Sequence, residues 1–336
     1  MRRVPGLWIL AAGFAACAFD GDAADPRRIT QVDVNTLTPL WTISGSDDTT
    51  LLDPFVMLLD SGRVFLSEPD GPYISALDAT SGALLWKYGQ KGDGPGEFRR
   101  PMYLAWHPDG VLVGDSRSFR LVLVSRDGQF VVETSSPHGL SMASICALRN
   151  GTTLSNVVSM GPDVPLYTKR FGESESPPTT GAMSRFRDME GVVDLTSLGV
   201  AGLDGCLASR KVFDGLAIVG PDGDSILTPY IEHVTQRPLK PPEQIRDTSD
   251  IPIPFSLRSG VAGDKAYVIF GGQTCASRCI DFYDLPSLAY SHSIQFVNMR
   301  GYLSDVAFDG DKMLVLRLLN STPTLAAYRL DELGIP

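Results

Sequence analysis

The chain has 336 residues, 43% of them hydrophobic and 20% charged, a composition that supplies ample apolar material for a globular core. Its formal net charge is −10, and acidic and basic residues interleave with no lysine- or arginine-rich run. A nucleic-acid binder needs a basic footprint to neutralise phosphates, so that class is excluded, and the acidity serves solubility.

The N-terminus reads MRRVPGLWILAAGFAACAFDGDAAD. Arg2 and Arg3 form a basic start, and Leu7 to Ala16 form an apolar run of ten residues. A bilayer span needs about 20 residues, so this run fits a signal peptide rather than a membrane helix. Ala15-Ala16-Cys17 resembles a bacterial lipobox, in which Cys17 is lipidated and becomes the mature N-terminus, although Phe14 stands where leucine is usual. Plain cleavage at the A-x-A site Ala16-Cys17-Ala18 is the competing reading. The expected division is therefore a signal peptide over 1–16, a lipidated flexible tether over 17–28 and one folded domain over 29–336.

From residue 29 onward a unit recurs: an apolar strand, a tight turn rich in Asp, Asn or Gly, a second apolar strand, then further strands. ITQVDVNTLTPLWTIS (29–44) has the pattern of an outer strand without a unit of its own. PFVMLLDSGRVFLSE (54–68) leads into YISALDATSGALLWKYG (73–89), and PMYLAWHPDGVLVGDS (101–116) leads into RLVLVSRDGQFVVET (120–134). SICALRNGTTLSNVV (144–158) is a shorter copy, followed by the inserted stretch 173–191. CLASRKVFDGLAIVGPDGDSILTPYI (206–231), SLRSGVAGDKAYVIFGG (256–272) with CIDFYDLPSLAYSHSIQF (279–296), and LSDVAFDGDKMLVLRLL (303–319) with TLAAYRLDEL (324–333) complete the series. The turn glycines Gly62, Gly110, Gly151, Gly215, Gly263 and Gly310 are separated by 48, 41, 64, 48 and 47 residues.

Six units of about four short strands predict an all-β fold. A four-stranded sheet buries little alone and leaves open edges, and radial packing of such sheets removes both problems. The expectation is a six-bladed β-propeller in which the strand from 29–44 completes the last blade and closes the ring. An open β-solenoid is the alternative, with shorter and more regular repeats.

Two stretches carry a family resemblance. Residues 92–131 resemble an NHL-type repeat through Gly94-Pro95-Gly96, Phe98, Pro101, Asp109-Gly110, Asp115-Ser116 and Arg120. Residues 60–89 are similar to the quinoprotein-type repeat, with A-L-D-x-x-S-G and Trp86 at its end. The whole resembles the six-bladed NHL/TolB-like propellers found among bacterial exported proteins. The glycine-rich segment 92–96 is then an inter-blade loop: a phosphate loop needs Lys-Ser/Thr and a following helix, and here a strand follows.

Catalytic signals are sparse. Gly-Asp-Ser occurs at 114–116 and 223–225, at strand ends and without the late Asp-x-x-His that a serine hydrolase of that type requires. No G-x-S-x-G elbow exists, and His107, His138, His233 and His292 are too scattered for a metal motif. Excluding Cys17, an even number of cysteines in an exported chain predicts disulfides: Cys275–Cys279 across a short loop, and Cys146–Cys206 between the innermost strands of consecutive blades. Aligned on the turns, the innermost strands begin near Asp53, Arg100, Asp204 and Asp305, which become the channel-mouth candidates. Asp53, Asp204 and Asp305 could converge on a cation, as carboxylates do in propeller lactonases, or could simply satisfy turn amides. Arg100 would favour an anionic ligand.

The primary expectation is a non-catalytic monomer held by its N-terminal lipid at a bacterial envelope membrane, with no cofactor, binding a protein, peptide or glycan; plain secretion is the alternative location. The alternative function is a hydrolase or lyase of the propeller lactonase type, using channel-bound calcium or zinc to polarise a carbonyl. A role in outer-membrane assembly, suggested by residues 73–89, is a third reading.

Overall fold

The computed structural model describes residues 29–45, 51–136, 142–157, 166–169, 193–198, 204–210, 216–220, 225–228, 256–270, 279–320 and 322–331. Every regular element within them is a strand. In chain order these are β1 (Ile29–Asp33) and β2 (Trp41–Ser44); β3 (Val56–Asp60), β4 (Arg63–Glu68), β5 (Tyr73–Asp78) and β6 (Leu84–Tyr88); β7 (Pro101–His107), β8 (Gly110–Asp115), β9 (Arg120–Val124) and β10 (Phe130–Ser135); β11 (Met142–Ala147), β12 (Thr153–Val157) and β13 (Leu166–Lys169); β14 (Val193–Ser197), β15 (Cys206–Arg210), β16 (Leu216–Val219) and β17 (Ser225–Thr228); β18 (Ser256–Ala262), β19 (Lys265–Phe270), β20 (Cys279–Asp284) and β21 (Ala289–Val297); and β22 (Tyr302–Asp309), β23 (Lys312–Leu319) and β24 (Thr322–Arg329). From β3 onward each group is an antiparallel meander, and the described residues form six separate sheets. The first strands of these sheets, β3, β7, β11, β14, β18 and β22, touch one another in a closed cycle. This is an all-β propeller, with the first strand of each sheet innermost.

The second and third strands read as continuous apolar runs because both of their faces are buried. Side chains alternate across a strand, so neighbouring residues serve different inter-sheet cores. In β4, Val64 and Leu66 pack with Leu314 and Leu316 of the last sheet, while Phe65 between them packs with Val111 and Val113 of the next. In β23, Met313 and Val315 join Tyr267 and Phe282, while Leu314 and Leu316 join Leu66 and Leu77. Outer strands lack this constraint: Leu84 and Leu85 in β6 and Phe130 and Val131 in β10 are exposed.

Residues 29–44 divide their work between two sheets rather than forming one outer strand. Trp41 to Ser44 pair antiparallel with β24, Trp41 opposite Ala327, and so close the last sheet from the other end of the chain. Ile29 to Asp33 add instead to the preceding sheet, parallel to β21 with Val32 opposite Phe296. The alternation Val32/Val34 accounts for this, because both valines are buried in the core between those two sheets.

A tryptophan device recurs on the outer strands. The Trp86 indole Nε1 donates to the Arg126 carbonyl at 3.0 Å, in the turn of the next sheet, and the ring covers Gly128. Trp41 repeats the arrangement, donating to the Ala79 carbonyl at 3.2 Å and covering Gly82. Both glycines have φ near +75° (Gly82 +74°, Gly128 +78°), and a Cβ on either would stand 2.7 Å from the indole. Trp41 thus carries, one repeat earlier, the same device as Trp86.

The repeat slips by one strand in the fourth sheet. Gly62, Gly110, Gly151, Gly263 and Gly310 lie between the innermost and second strands or open the second strand. Gly215 lies outside the described residues, between β15 and β16, and the innermost strand of that sheet is β14. Hairpins one strand apart carry the same period-two pattern, so an insertion between them removes the phase information.

Candidate functional site

The six innermost strands enclose a central cavity of about 400 Å³, with Tyr103, Trp106, Ser144, Thr196, Arg258, Asp305 and Phe308 among its lining. An innermost strand has one edge without a partner strand, and its amides and carbonyls need other partners. Side chains from other innermost strands supply several. Asp305 is 4% exposed; its Oδ2 accepts the Met57 amide at 2.9 Å and its Oδ1 accepts the Val306 amide at 2.9 Å. Ser197 Oγ accepts the Ala147 amide at 3.0 Å, and Thr196 Oγ1 donates to the Ser259 carbonyl at 2.9 Å. Arg258 reaches past the last sheet to donate to the Phe55 carbonyl at 3.0 Å, with its guanidinium 4.6 Å from the Phe55 ring centroid.

The channel-mouth candidates do not form one set. Asp305 ties β22 to β3. Asp53 is exposed just before β3; partial burial pushes its carboxyl up, Asp70 adds to this and Arg100 opposes it. Arg100 is exposed, and its amide donates to Asp115 Oδ1 at 3.0 Å. Asp204 precedes β15, a second strand, and its Oδ1 accepts the Arg149 amide at 2.9 Å beside the β11–β12 turn. Its assignment to the start of an innermost strand is thus corrected by the phase slip. Among the described residues no three His, Cys, Asp or Glu side chains come together as a ligand group, Asp53, Asp204 and Asp305 included. They satisfy or adjoin main-chain amides instead.

The glycine loop is built by carbonyls rather than by free amides. Arg120 donates to the Asp93 carbonyl at 3.0 Å, to the Gly94 carbonyl at 3.3 Å and to the Glu97 carbonyl, and it pairs with Glu133 at 3.2 Å. The Gly94 amide is taken by Glu97 Oε2 at 2.8 Å and the Gly92 amide by the Phe98 carbonyl at 3.1 Å. The Gly92 and Gly94 amides are thus committed within the loop rather than offered to a phosphate. In the first Gly-Asp-Ser, Ser116 Oγ donates to the Arg100 carbonyl at 3.3 Å, while Asp224 of the second lies outside the described residues.

His107 ends β7 at 3% exposure; its Nδ1 accepts the Asp109 amide at 3.1 Å, and burial lowers its pKa. His292 stacks on Phe282 with centroids 4.5 Å apart. His138 and His233 lie outside the described residues. The Cys146–Cys206 disulfide is present, with Cα atoms 6.2 Å apart. It joins innermost β11 to second strand β15, not two innermost strands as expected. Cys279 is also disulfide-bonded; Cys275 and Cys17 lie outside the described residues.

Two residues that sequence reasoning missed organise the ring. Arg126 pairs with Asp60 (Nε to Oδ2, 2.6 Å) and donates to the Pro108 and His107 carbonyls at 2.9 and 3.1 Å, joining the ends of β3 and β7. Glu68 is fully buried at the end of β4; its Oε2 accepts the Leu52 amide at 3.2 Å and the Asp53 amide at 2.7 Å. Burial, despite these bonds, pushes its carboxyl up to about 7, with Asp53 adding to the rise and Lys87 opposing it. Glu68 stands 47 residues before Asp115, which holds the Arg99 amide at 2.7 Å and the Arg100 amide in the same way. That spacing was the available signal.

Residues 13–161 match the profile of a family described as outer membrane protein assembly factor BamB, a span just short of half the chain. No curated protein matches the sequence. Among solved structures, the chain is similar to a protein of Bacteroides fragilis described as exported (TM-score 0.53, 11% identity, covering 90% of this chain and 99% of that one). It is similar to a catalytically inactive virginiamycin B lyase of Staphylococcus aureus with quinupristin (TM-score 0.50, 10% identity, 82% and 81% covered). It is also similar to the Pan2 WD40 domain of Neurospora crassa (TM-score 0.52, 10% identity, 89% and 97% covered). The common ground of these likenesses is the fold: the chain is an all-β propeller whose first part resembles the BamB family.

Proposed function

We propose that the chain is a six-bladed propeller of the NHL type, held at a bacterial envelope membrane through lipid on Cys17, and that it binds a protein partner without performing catalysis. The six sheets and the Arg120-pinned loop support the blade count and repeat type. The match of residues 13–161 to an outer-membrane assembly family supports an envelope location.

The observation that carries the binding reading is on the rim. Leu84 and Leu85 on β6 and Phe130 and Val131 on β10 are 44%, 46%, 40% and 45% exposed, on the outer strands of two adjacent sheets. Exposed apolar side chains on the outer strands of two adjacent sheets support a protein partner on the rim over a peptide or glycan in the channel. In the channel, the Asp305 carboxylate and the Arg258 guanidinium already hold main-chain groups of β3 or the residue preceding it.

The test is retention of a partner from solubilised envelope membranes by the immobilised full chain and by a Leu85→Glu, Val131→Glu variant. Loss of the partner in the variant supports the rim reading; equal retention overturns it. The lactonase-type alternative requires stoichiometric calcium or zinc that disappears on Asp305→Ala, and finding it would displace the non-catalytic reading. Cys17→Ala releases the protein into the soluble fraction if the lipid is its anchor; continued membrane attachment rules that anchor out.

A further inference from the structure

The equivalent carboxylates Glu68 and Asp115 are satisfied very unequally. Asp115 accepts the amides of Arg99, Arg100, Arg117 and Ser118 and the Ser118 hydroxyl, using both oxygens. Glu68 accepts two amides on Oε2 alone, while Oε1 is buried without any hydrogen-bond partner. A buried carboxylate oxygen with no donor is costly as an anion and far less so as a protonated hydroxyl.

We propose that Glu68 is a proton-binding latch: protonated, it holds the Leu52–Asp53 segment against the end of β4, and loss of the proton releases that segment. The segment is a short exposed stretch between two anchors, Leu51 on one side and buried Pro54 on the other, with the Phe55 amide held by the Ser67 carbonyl at 2.9 Å. Leu51 is anchored in the core at 1% exposure, whereas Leu52 is 51% exposed and Asp53 is exposed. The charged groups around Glu68 favour the neutral state on balance. Asp53, on the segment itself, repels the anion, and Lys87 of β6 attracts it. Tyr73 of β5 is near enough for the Glu68 charge to raise its phenol, and Asp70 and Arg100 act on Asp53. With a carboxyl value of 4.5 when released and about 7 when held, the loosening develops as pH rises between those values. The latch is independent of the rim reading, since it involves neither β10 nor Leu84 and Leu85.

The experiment follows amide hydrogen exchange by NMR in the full chain at pH 5.5 and 8.5, with protection factors corrected for intrinsic rates. If release returns Glu68 to the ordinary carboxyl value of 4.5, protection at Leu52 and Asp53 falls about thirtyfold between these pH values. Protection at Arg99 and Arg100, held by Asp115, stays constant. Glu68→Gln imitates the protonated acid and removes the pH dependence. Unchanged protection at Leu52 and Asp53 in the unmodified chain overturns the proposal, as does a pH dependence that survives Glu68→Gln. Should that variant fail to fold, the side-chain carbon titration of Glu68 in the unmodified chain decides. A midpoint near 7 supports the latch and one below 5.5 refutes it.

Discussion

Replacing Asp305 by alanine separates a structural from a metal-binding role for the channel. The carboxylate is 4% exposed and accepts the amides of Met57 and Val306, each at 2.9 Å. Each buried amide left without an acceptor costs about 1–3 kcal/mol. Relief from burying a charge offsets part of this, so the net loss comes to about 3 kcal/mol. With a urea slope of about 3 kcal/mol/M, the midpoint of unfolding falls by about 1 M at unchanged slope. Asp305→Asn keeps one acceptor but turns an NH2 group towards an amide donor, so its loss is intermediate. A metal-ligating aspartate would behave in the opposite way. Its removal would leave the metal-free protein as stable or more so, and would abolish stabilisation by added calcium or zinc. A loss below about 0.5 kcal/mol for Asp305→Ala, the range of ordinary surface changes, would refute the account of Asp305 as the tie between the last sheet and the first.

Three further outcomes are expected. The Glu68 carboxyl is raised from 4.5 to about 7 in the folded chain, so folding is favoured at acid pH and stability declines as pH rises between those values. The decline is about 3 kcal/mol, and urea melts from pH 4.5 to 8 on Glu68→Gln should show it removed. The Cys146–Cys206 disulfide spans 60 residues, for which chain entropy gives about 4 kcal/mol; the paired serine variant should lose about that much in denaturant melts under non-reducing conditions. Gly128→Ala forces a Cβ to within 2.7 Å of the Trp86 ring at φ +78°, and should cost about 2 kcal/mol and blue- or red-shift Trp86 fluorescence; an unchanged melt would show that the indole does not rest on that turn.

Much of the architecture was legible because a propeller sheet is a local object. Alternating apolar residues, two-residue turns and glycines at positive φ such as Gly62 and Gly151 specify each meander within a few tens of residues. Closure by the N-terminal segment was legible too, since the stretch 29–44 had no meander of its own, but its division between two sheets was not. The phase of the fourth sheet was not legible. The hairpin β15–β16 looks like any β14–β15 hairpin, and so Asp204 and Cys206 were each placed one strand too far inward.

The candidate site was less legible than the fold, for a related reason. Asp305, Glu68, Arg126 and Arg258 act across gaps of tens to hundreds of residues, on main-chain groups that carry no side-chain signature. Taken alone, the order of residues determined that this chain makes strands, that they group into repeating sheets, and that cysteines 146 and 206 could meet. Only the closed ring decided which strand edge each carboxylate faces, how many donors reach it, and therefore whether it stays ionised. Alternation is written into neighbouring residues, whereas desolvation and hydrogen-bond supply exist only once distant sheets have packed.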